Sequence, residues 1–287
     1  MKTAYLKYLA ALLLFGSNGI VASHIALNSS EIVLLRTCIG SLLLFSIFFL
    51  QKKKLTFYKY KRQFLFLSMS GIAMGTSWMF LYEAYAQIGV SIASLLYYCG
   101  PIIVMALSPL LFKEKLTAPK IIGFLAVFCG IFLVNGNTSS GTSIFGFFCG
   151  IMSAVMYAFM VIFNKKATDI AGLENSMLQL FTSFLTVAIF VGLKQGYALQ
   201  IAPASILPIL ILGILNTGIG CYLYFSSIGK LPVQTVAICG YLEPLSAVLF
   251  SVIILKESMS LPQMLGAVLI IGGAVFTDIL PDNRQES

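Results

Sequence analysis

The feature that most constrains this chain is a succession of ten long apolar runs with little between them. They fall at about 4–26, 31–50, 64–87, 91–112, 119–135, 144–164, 174–193, 204–228, 232–255 and 261–280 of the 287 residues. A membrane-spanning helix takes about 20 predominantly apolar residues, and these runs match that length. Only 10% of the residues are charged and 59% are hydrophobic, whereas a soluble domain carries roughly 25% charged residues. So little charge cannot cover a soluble surface, and disorder needs the opposite composition. The runs are continuous, where an outer-membrane barrel would alternate. The expected fold is therefore an all-α membrane protein with ten transmembrane helices.

Charge sets the expected orientation. The first run has signal-peptide features, Lys2 and Lys7 ahead of an apolar stretch and Val21-Ala22-Ser23 after it. It is read as a retained span because it is long enough to cross. With the N-terminus inside, 15 of the 18 Lys and Arg fall on the cytoplasmic side, Lys52, Lys53, Lys54, Lys59, Lys61 and Arg62 among them. Only Lys194 and Lys256 fall outside, and Arg36 lies within a span. The positive-inside rule then puts both termini in the cytoplasm. The net charge of +8 is read as a topology signal and not as a nucleic-acid footprint, since it is spread over short loops.

The two halves match at a constant offset of 143 residues. Gly75 maps to Gly218, Pro101 to Pro244, Lys113-Glu114 to Lys256-Glu257, Pro119 to Pro262, Gly123 to Gly266 and Gly130 to Gly273. Five spans per unit is an odd number, so the second unit is inverted relative to the first. Residues 1–137 and 138–287 are thus expected to form two inverted five-helix repeats. Two such halves can exchange inward-open and outward-open arrangements around a central site. Duplication kept for packing alone is the other reading.

The chain resembles the drug/metabolite transporter superfamily, in its ten-span EamA-like branch. The resemblance covers essentially the whole chain. It rests on Phe15-Gly16-Ser17-Asn18, Leu35-Arg36, Gly100-Pro101 and Lys113-Glu114-Lys115-Leu116-Thr117. In the second half it rests on Leu242-Glu243-Pro244-Leu245 and Leu255-Lys256-Glu257-Ser258-Met259-Ser260. Phe15 stands where many relatives have Trp. The resemblance implies export or exchange of amino acids, amines, carboxylates or drugs across the inner membrane. It also implies a central cavity surrounded by spans one to four and six to nine.

Three ionisable groups lie within spans, where charge is costly: Arg36, Glu83 and Glu243. At about 1.5 Å rise per residue, Arg36 and Glu83 sit roughly 7 and 10 Å to the outer side of their span midpoints. An intramembrane ion pair between them is expected. Glu243 is near mid-span with no charged counterpart at its repeat position, Gly100. It is the candidate for holding a substrate amine or a proton; the alternative is a hydrogen bond that orients the adjoining proline kink.

Pro101 and Pro244 cannot donate to the carbonyls of Tyr97 and Gly240. Carbonyls freed at mid-membrane survive only against protein or a water-filled cavity, so kinks at these prolines point at the cavity. Trp78, Tyr82 and Tyr85 share one helical face. Trp78, Tyr97, Tyr157 and Tyr241 are near midplane, and Tyr222 lies in the eighth run. Aromatic faces there suit a cationic or amphipathic cargo or simple packing. Asn18, mid-span, contacts either ligand or a neighbouring helix. The substrate-binding candidates are therefore Asn18, Trp78, Tyr82, Tyr97, Pro101, Tyr157, Tyr222, Tyr241, Glu243 and Pro244.

Other chemistries fit poorly. The six cysteines lie in apolar runs without CxxC spacing, and the single His24 rules out HExxH and any two-His metal site. No Walker-type GxxxxGK[ST] loop is present. No metal and no cofactor are expected. The partners expected are the lipid bilayer, a small-molecule substrate and protons as a coupling ion, with no nucleic acid. Gly146 and Gly150 have GxxxG spacing, and the expected state is a monomer or a weak homodimer. A passive channel remains an alternative. A carrier of sugar phosphates or nucleotide sugars is another, although only Arg36 is available to such anions.

Overall fold

A computed structural model describes residues 2–88, 93, 96–113, 117–135, 143–243, 245, 246 and 250, and part of 261–273. Among these residues the regular structure is all helical. In chain order the helices are α1 (Lys2–Gly16), α2 (Asn18–Ala22), α3 (Ser29–Leu50), α4 (Lys61–Ile88), α5 (Gly100–Phe112) and α6 (Ala118–Asn135). They continue with α7 (Ile144–Lys166), α8 (Gly172–Lys194), α9 (Ile206–Leu210), a π-helical stretch Ile211–Ile219, α10 (Gly220–Ile228) and α11 (Val233–Cys239).

Six of the described helices are long and apolar enough to cross a membrane: Lys2–Ala22, Ser29–Leu50, Lys61–Ile88, Ile144–Lys166, Gly172–Lys194 and Pro203–Ile228. They answer to six of the ten apolar runs. The runs at 91–112 and 119–135 hold the shorter α5 and α6. The run at 232–255 holds α11 and is described to residue 243 and at 245, 246 and 250, and the run at 261–280 is described in part; Pro244 and Lys256-Glu257 lie outside the described residues.

The helix ends follow their local chemistry. Asn28 and Glu31 form a reciprocal capping box at the start of α3, with Asn28 Oδ1 accepting from the Glu31 amide and Glu31 Oε2 accepting from the Asn28 amide, both at 3.0 Å. That satisfies two backbone donors a helix start leaves orphaned. Lys165 and Lys166 close α7, and Glu174 opens α8, each charge matching the helix dipole.

Serines and glycines bring the long helices together. Ser70 Oγ donates to the Met160 carbonyl at 2.6 Å and Ser77 Oγ to the Ser153 carbonyl at 2.8 Å. The paired numbers run in opposite directions, so α4 and α7 are antiparallel. A Cβ on Gly75 would stand 2.9 Å from the Ser183 carbonyl, so α4 meets α8 at backbone distance, as small residues permit in membranes. Gly146 and Gly150 are occupied within the chain, against Gln87, Ile88 and Leu96.

Two irregularities place the site. The first span breaks at Ser17, between α1 and α2, where the Leu14 carbonyl accepts from the Ser17 amide, Ser17 Oγ and Asn216 Nδ2. The second is the π-helical stretch Ile211–Ile219 in the eighth run, which is where Asn216 lies. A Cβ on Gly16 would collide with Ser246 Oγ and stand 2.9 Å from the Glu243 carbonyl. Glycine there lets α1 approach the segment that carries Glu243.

Candidate functional site

A cavity of about 340 Å³ lies where the broken first span, α3, α4 and the segments holding Tyr97, Tyr98 and Glu243 converge. The α4 wall is Trp78, Leu81, Tyr82 and Tyr85, an i, i+3, i+4, i+7 stripe on one helical face. A narrower extension of about 30 Å³ runs deeper, between Met74, Trp78, Tyr97, Tyr157, Tyr224 and Glu243 among others. At the mouth are Ile20, Ala22 and Ser23, from the end of the first span.

Arg36 is the cation of this site. It is 2% exposed. Its Nε donates to Thr217 Oγ1 at 2.9 Å, its Nη1 donates to Tyr82 Oη at 3.1 Å, and its guanidinium lies 4.3 Å from the centre of the Trp78 ring. Thr217 in turn donates to the Leu212 carbonyl at 2.8 Å, five residues back in the π-helical stretch. Arg36 Nη2 is buried with no hydrogen-bond partner among the described residues. An unsatisfied buried nitrogen on a guanidinium costs more than a neutral one, and an acceptor brought into the cavity would relieve it.

Glu243 is the acidic side chain of the site. It lines both the main cavity and its extension. Its segment follows the helix break at Gly240-Tyr241, with the Glu243 amide bonded to the Gly240 carbonyl at 3.1 Å. The cavity wall thus carries one carboxyl group, one guanidinium and several aromatic rings. Such a space is able to hold an ammonium against Glu243 and the ring faces, and a carboxylate against Arg36.

Most of the residues singled out in the sequence come together here. Asn18, Trp78, Tyr97 and Glu243 line both spaces, Tyr82 lines the main cavity and Tyr157 the extension. Asn18 Oδ1 also accepts from Asn216 Nδ2 at 3.0 Å. Tyr157 and Tyr224 share a hydroxyl contact at 3.2 Å.

Others stand elsewhere. Tyr222 is half-buried with Lys7 Nζ 5.2 Å from its ring centre, and it is not among the cavity-lining residues. Tyr241 is fully buried and donates to the Tyr98 carbonyl at 3.0 Å. Pro101 is buried in the first turn of α5. The chain has already broken at Tyr98-Cys99, so this proline opens a helix, where its missing N–H costs nothing, instead of kinking one. Pro244 lies outside the described residues.

Arg36 and Glu83 are not brought together. Glu83 accepts from Gln87 Nε2 at 3.1 Å and lines a separate groove with Thr76, Met79 and Phe80. That second stripe is offset by two positions from the cavity stripe, about 160° around the helix. Equal depth therefore did not make the two residues neighbours. Asn216 and Thr217, which hold the site's frame, were missed. Their signal was two consecutive polar residues within an apolar run between Gly213 and Gly218.

Hydrogen bonds join separate segments at the end away from the mouth. Tyr8 Oη donates to the Val236 carbonyl at 2.7 Å, and Gln234 Nε2 to Ser108 Oγ at 2.9 Å. Lys165 Nζ donates to the carbonyls of Ile228 and Leu231. Glu174 accepts from Thr56 N at 2.6 Å, Phe57 N at 2.9 Å and Thr56 Oγ1 at 2.7 Å, fastening the 51–60 loop to α8. Among the described residues no three His, Cys, Asp or Glu side chains gather as a metal site.

The sequence model of the EamA-like transporter family matches the chain twice, over residues 2–136 and 144–277. The chain is 26% identical over 286 residues to the uncharacterized transporter YxxF of Bacillus subtilis, covering 96% of this chain and 89% of that protein. It is 24% identical over 298 residues to the uncharacterized inner membrane transporter YicL of Salmonella typhimurium, covering 98% and 96%. A crystal structure of a protein 18% identical in sequence superposes with a TM-score of 0.82, over 97% of this chain and 99% of that one. At that identity the likeness is one of fold.

Proposed function

The chain belongs to the EamA-like transporter family, and from that premise we propose that it is a secondary transporter of small zwitterionic or cationic metabolites, amino acids and amines foremost. The transport is export or exchange across the inner membrane by alternating access at the central cavity. The observation that carries the reading is Arg36 and Glu243 on the wall of one aromatic cavity. A cargo that is only anionic would meet Arg36 but be repelled by an ionised Glu243. Sugar phosphates and nucleotide sugars, which need several cations, are disfavoured for that reason. Glu243 is also the group at which a coupling proton would compete with a substrate amine.

The architecture proposed is ten spans in two inverted five-helix repeats, residues 1–137 and 138–287, with both termini cytoplasmic. Two observations support it. The family model matches each half separately, and the contact between Tyr98 and Tyr241 joins residues 143 apart, the repeat offset. On that orientation the mouth at Ala22-Ser23 faces outward and the tied end faces the cytoplasm, an outward-open arrangement.

Counterflow into proteoliposomes tests the reading, with labelled amino acids, amines and carboxylates and with Glu243→Gln beside the wild type. The expected result is saturable exchange of zwitterions or amines, lost in the folded variant. Flux that rises linearly with concentration and shows no counterflow would mean a pore.

A further inference from the structure

Glu83, set apart from Arg36, belongs to a second space. A groove of about 570 Å³ runs between α4, α7 and α8 on the far side of α4 from the central cavity. Its body is apolar, with Met79, Phe80, Phe145, Ile189 and Phe190. Ile189 is 62% exposed and Leu193 at the rim 85%, so in a membrane this face meets acyl chains.

Its upper end is polar and asymmetric. Glu83, Ser29 and Ser30 line the groove together with Lys194, whose Nζ is 5.5 Å from the Phe190 ring centre. Ser29 Oγ already donates to the Tyr82 carbonyl at 3.2 Å and Ser30 Oγ to Asn28 Oδ1 at 3.1 Å. With their protons committed, both hydroxyl oxygens keep lone pairs with which to accept. The lining thus offers three acceptors, a carboxylate and two hydroxyls, and one cation. A primary ammonium offers three donors and a phosphate takes a cation.

The geometry points to a lipid site in this groove for a phospholipid with a primary-amine headgroup, phosphatidylethanolamine. Its ammonium sits on Glu83, Ser29 and Ser30, its phosphate meets Lys194, and an acyl chain lies along Met79 and Phe190. The lipid comes from the leaflet at the end opposite the lysine-rich 51–62 segment. Phosphatidylcholine has no N–H to donate, and phosphatidylglycerol brings a net negative charge to Glu83. The site is independent of what the central cavity carries.

Native mass spectrometry of the purified full chain tests this, using phosphatidylethanolamine, phosphatidylcholine and phosphatidylglycerol of matched acyl chains. Wild type should retain phosphatidylethanolamine about tenfold better than either other lipid, as one charge-assisted hydrogen bond gives. Glu83→Gln should erase that preference, and Lys194→Gln should weaken retention of all three. Soluble O-phosphoethanolamine should not displace the lipid. Equal retention of phosphatidylethanolamine and phosphatidylcholine by the wild type overturns the site, whether or not the variants fold. So does a preference that survives Glu83→Gln, or displacement by the free headgroup.

Discussion

The hydroxyl of Tyr241 donates to the backbone carbonyl of Tyr98 at 3.0 Å, across 143 residues. These are the two positions that the repeat offset superposes. Each stands at a break, one at Tyr98-Cys99 before α5 and the other at Gly240-Tyr241 after α11. A contact between equivalent residues is what a two-fold axis produces where it passes between them. The two breaks therefore brace one another beside the cavity that Tyr97, Tyr98 and Glu243 line.

Tyr241→Phe removes that brace and leaves the Tyr98 carbonyl without its donor. An unsatisfied buried acceptor costs about 1–3 kcal/mol. Thermal unfolding in detergent should show a lower midpoint than wild type. An unchanged midpoint would mean that water or another donor replaces the hydroxyl.

Gly16→Ala tests the approach of α1 to Glu243. The added methyl collides with Ser246 Oγ and presses on the Glu243 carbonyl, and overpacking costs about 1–3 kcal/mol. Gly229→Ala is the control, because its Cβ would meet nothing within 4 Å. The first should lower both stability and exchange rate, and the second neither. Equal effects would contradict the close approach.

Arg36→Gln should distinguish cargoes by their carboxylate. A hydrogen bond to a charged group is worth about 1.5–3 kcal/mol. Half-saturating concentrations for an amino acid should therefore rise about tenfold or more, while its decarboxylated amine changes little. Equal losses for both would assign Arg36 to holding α3 against Thr217 and α4 alone.

Glu174→Ala frees two backbone amides and the Thr56 hydroxyl of the 51–60 loop. Trypsin has Lys52, Lys53, Lys54 and Lys59 to cut there. On inverted vesicles, cleavage in this loop should be several-fold faster than in wild type, since cutting follows the opened population. An unchanged rate would show that the clamp is not what orders the loop.

Hydropathy made the long spans legible, because bilayer thickness fixes how many apolar residues a crossing needs. The break at Ser17 and the π-helical stretch at Ile211–Ile219 were not legible. Both depend on Asn216, whose amide reaches Leu14, Ser17 and Asn18 from a distant part of the chain. Tyr222 and Tyr224, two positions apart, lie about 160° from one another around α10, and it is Tyr224 that reaches the cavity. The expected pairing of Arg36 and Glu83 rested on depth alone, and depth says nothing of rotation about α4. Tyr82, one residue earlier, holds the guanidinium instead.

The most direct test uses the chain's single tryptophan. Trp78 lies 4.3 Å under Arg36 in the cavity wall, so its fluorescence reports on the site itself. Titration of the purified protein with non-aromatic amino acids, their amines and their carboxylic acids should give a saturable change for the zwitterions or amines. That change should vanish in Glu243→Gln, and for the zwitterions it should weaken in Arg36→Gln. Counterflow of the same compounds with no response from Trp78, or with a response that both variants leave intact, would contradict a cargo held between Arg36 and Glu243.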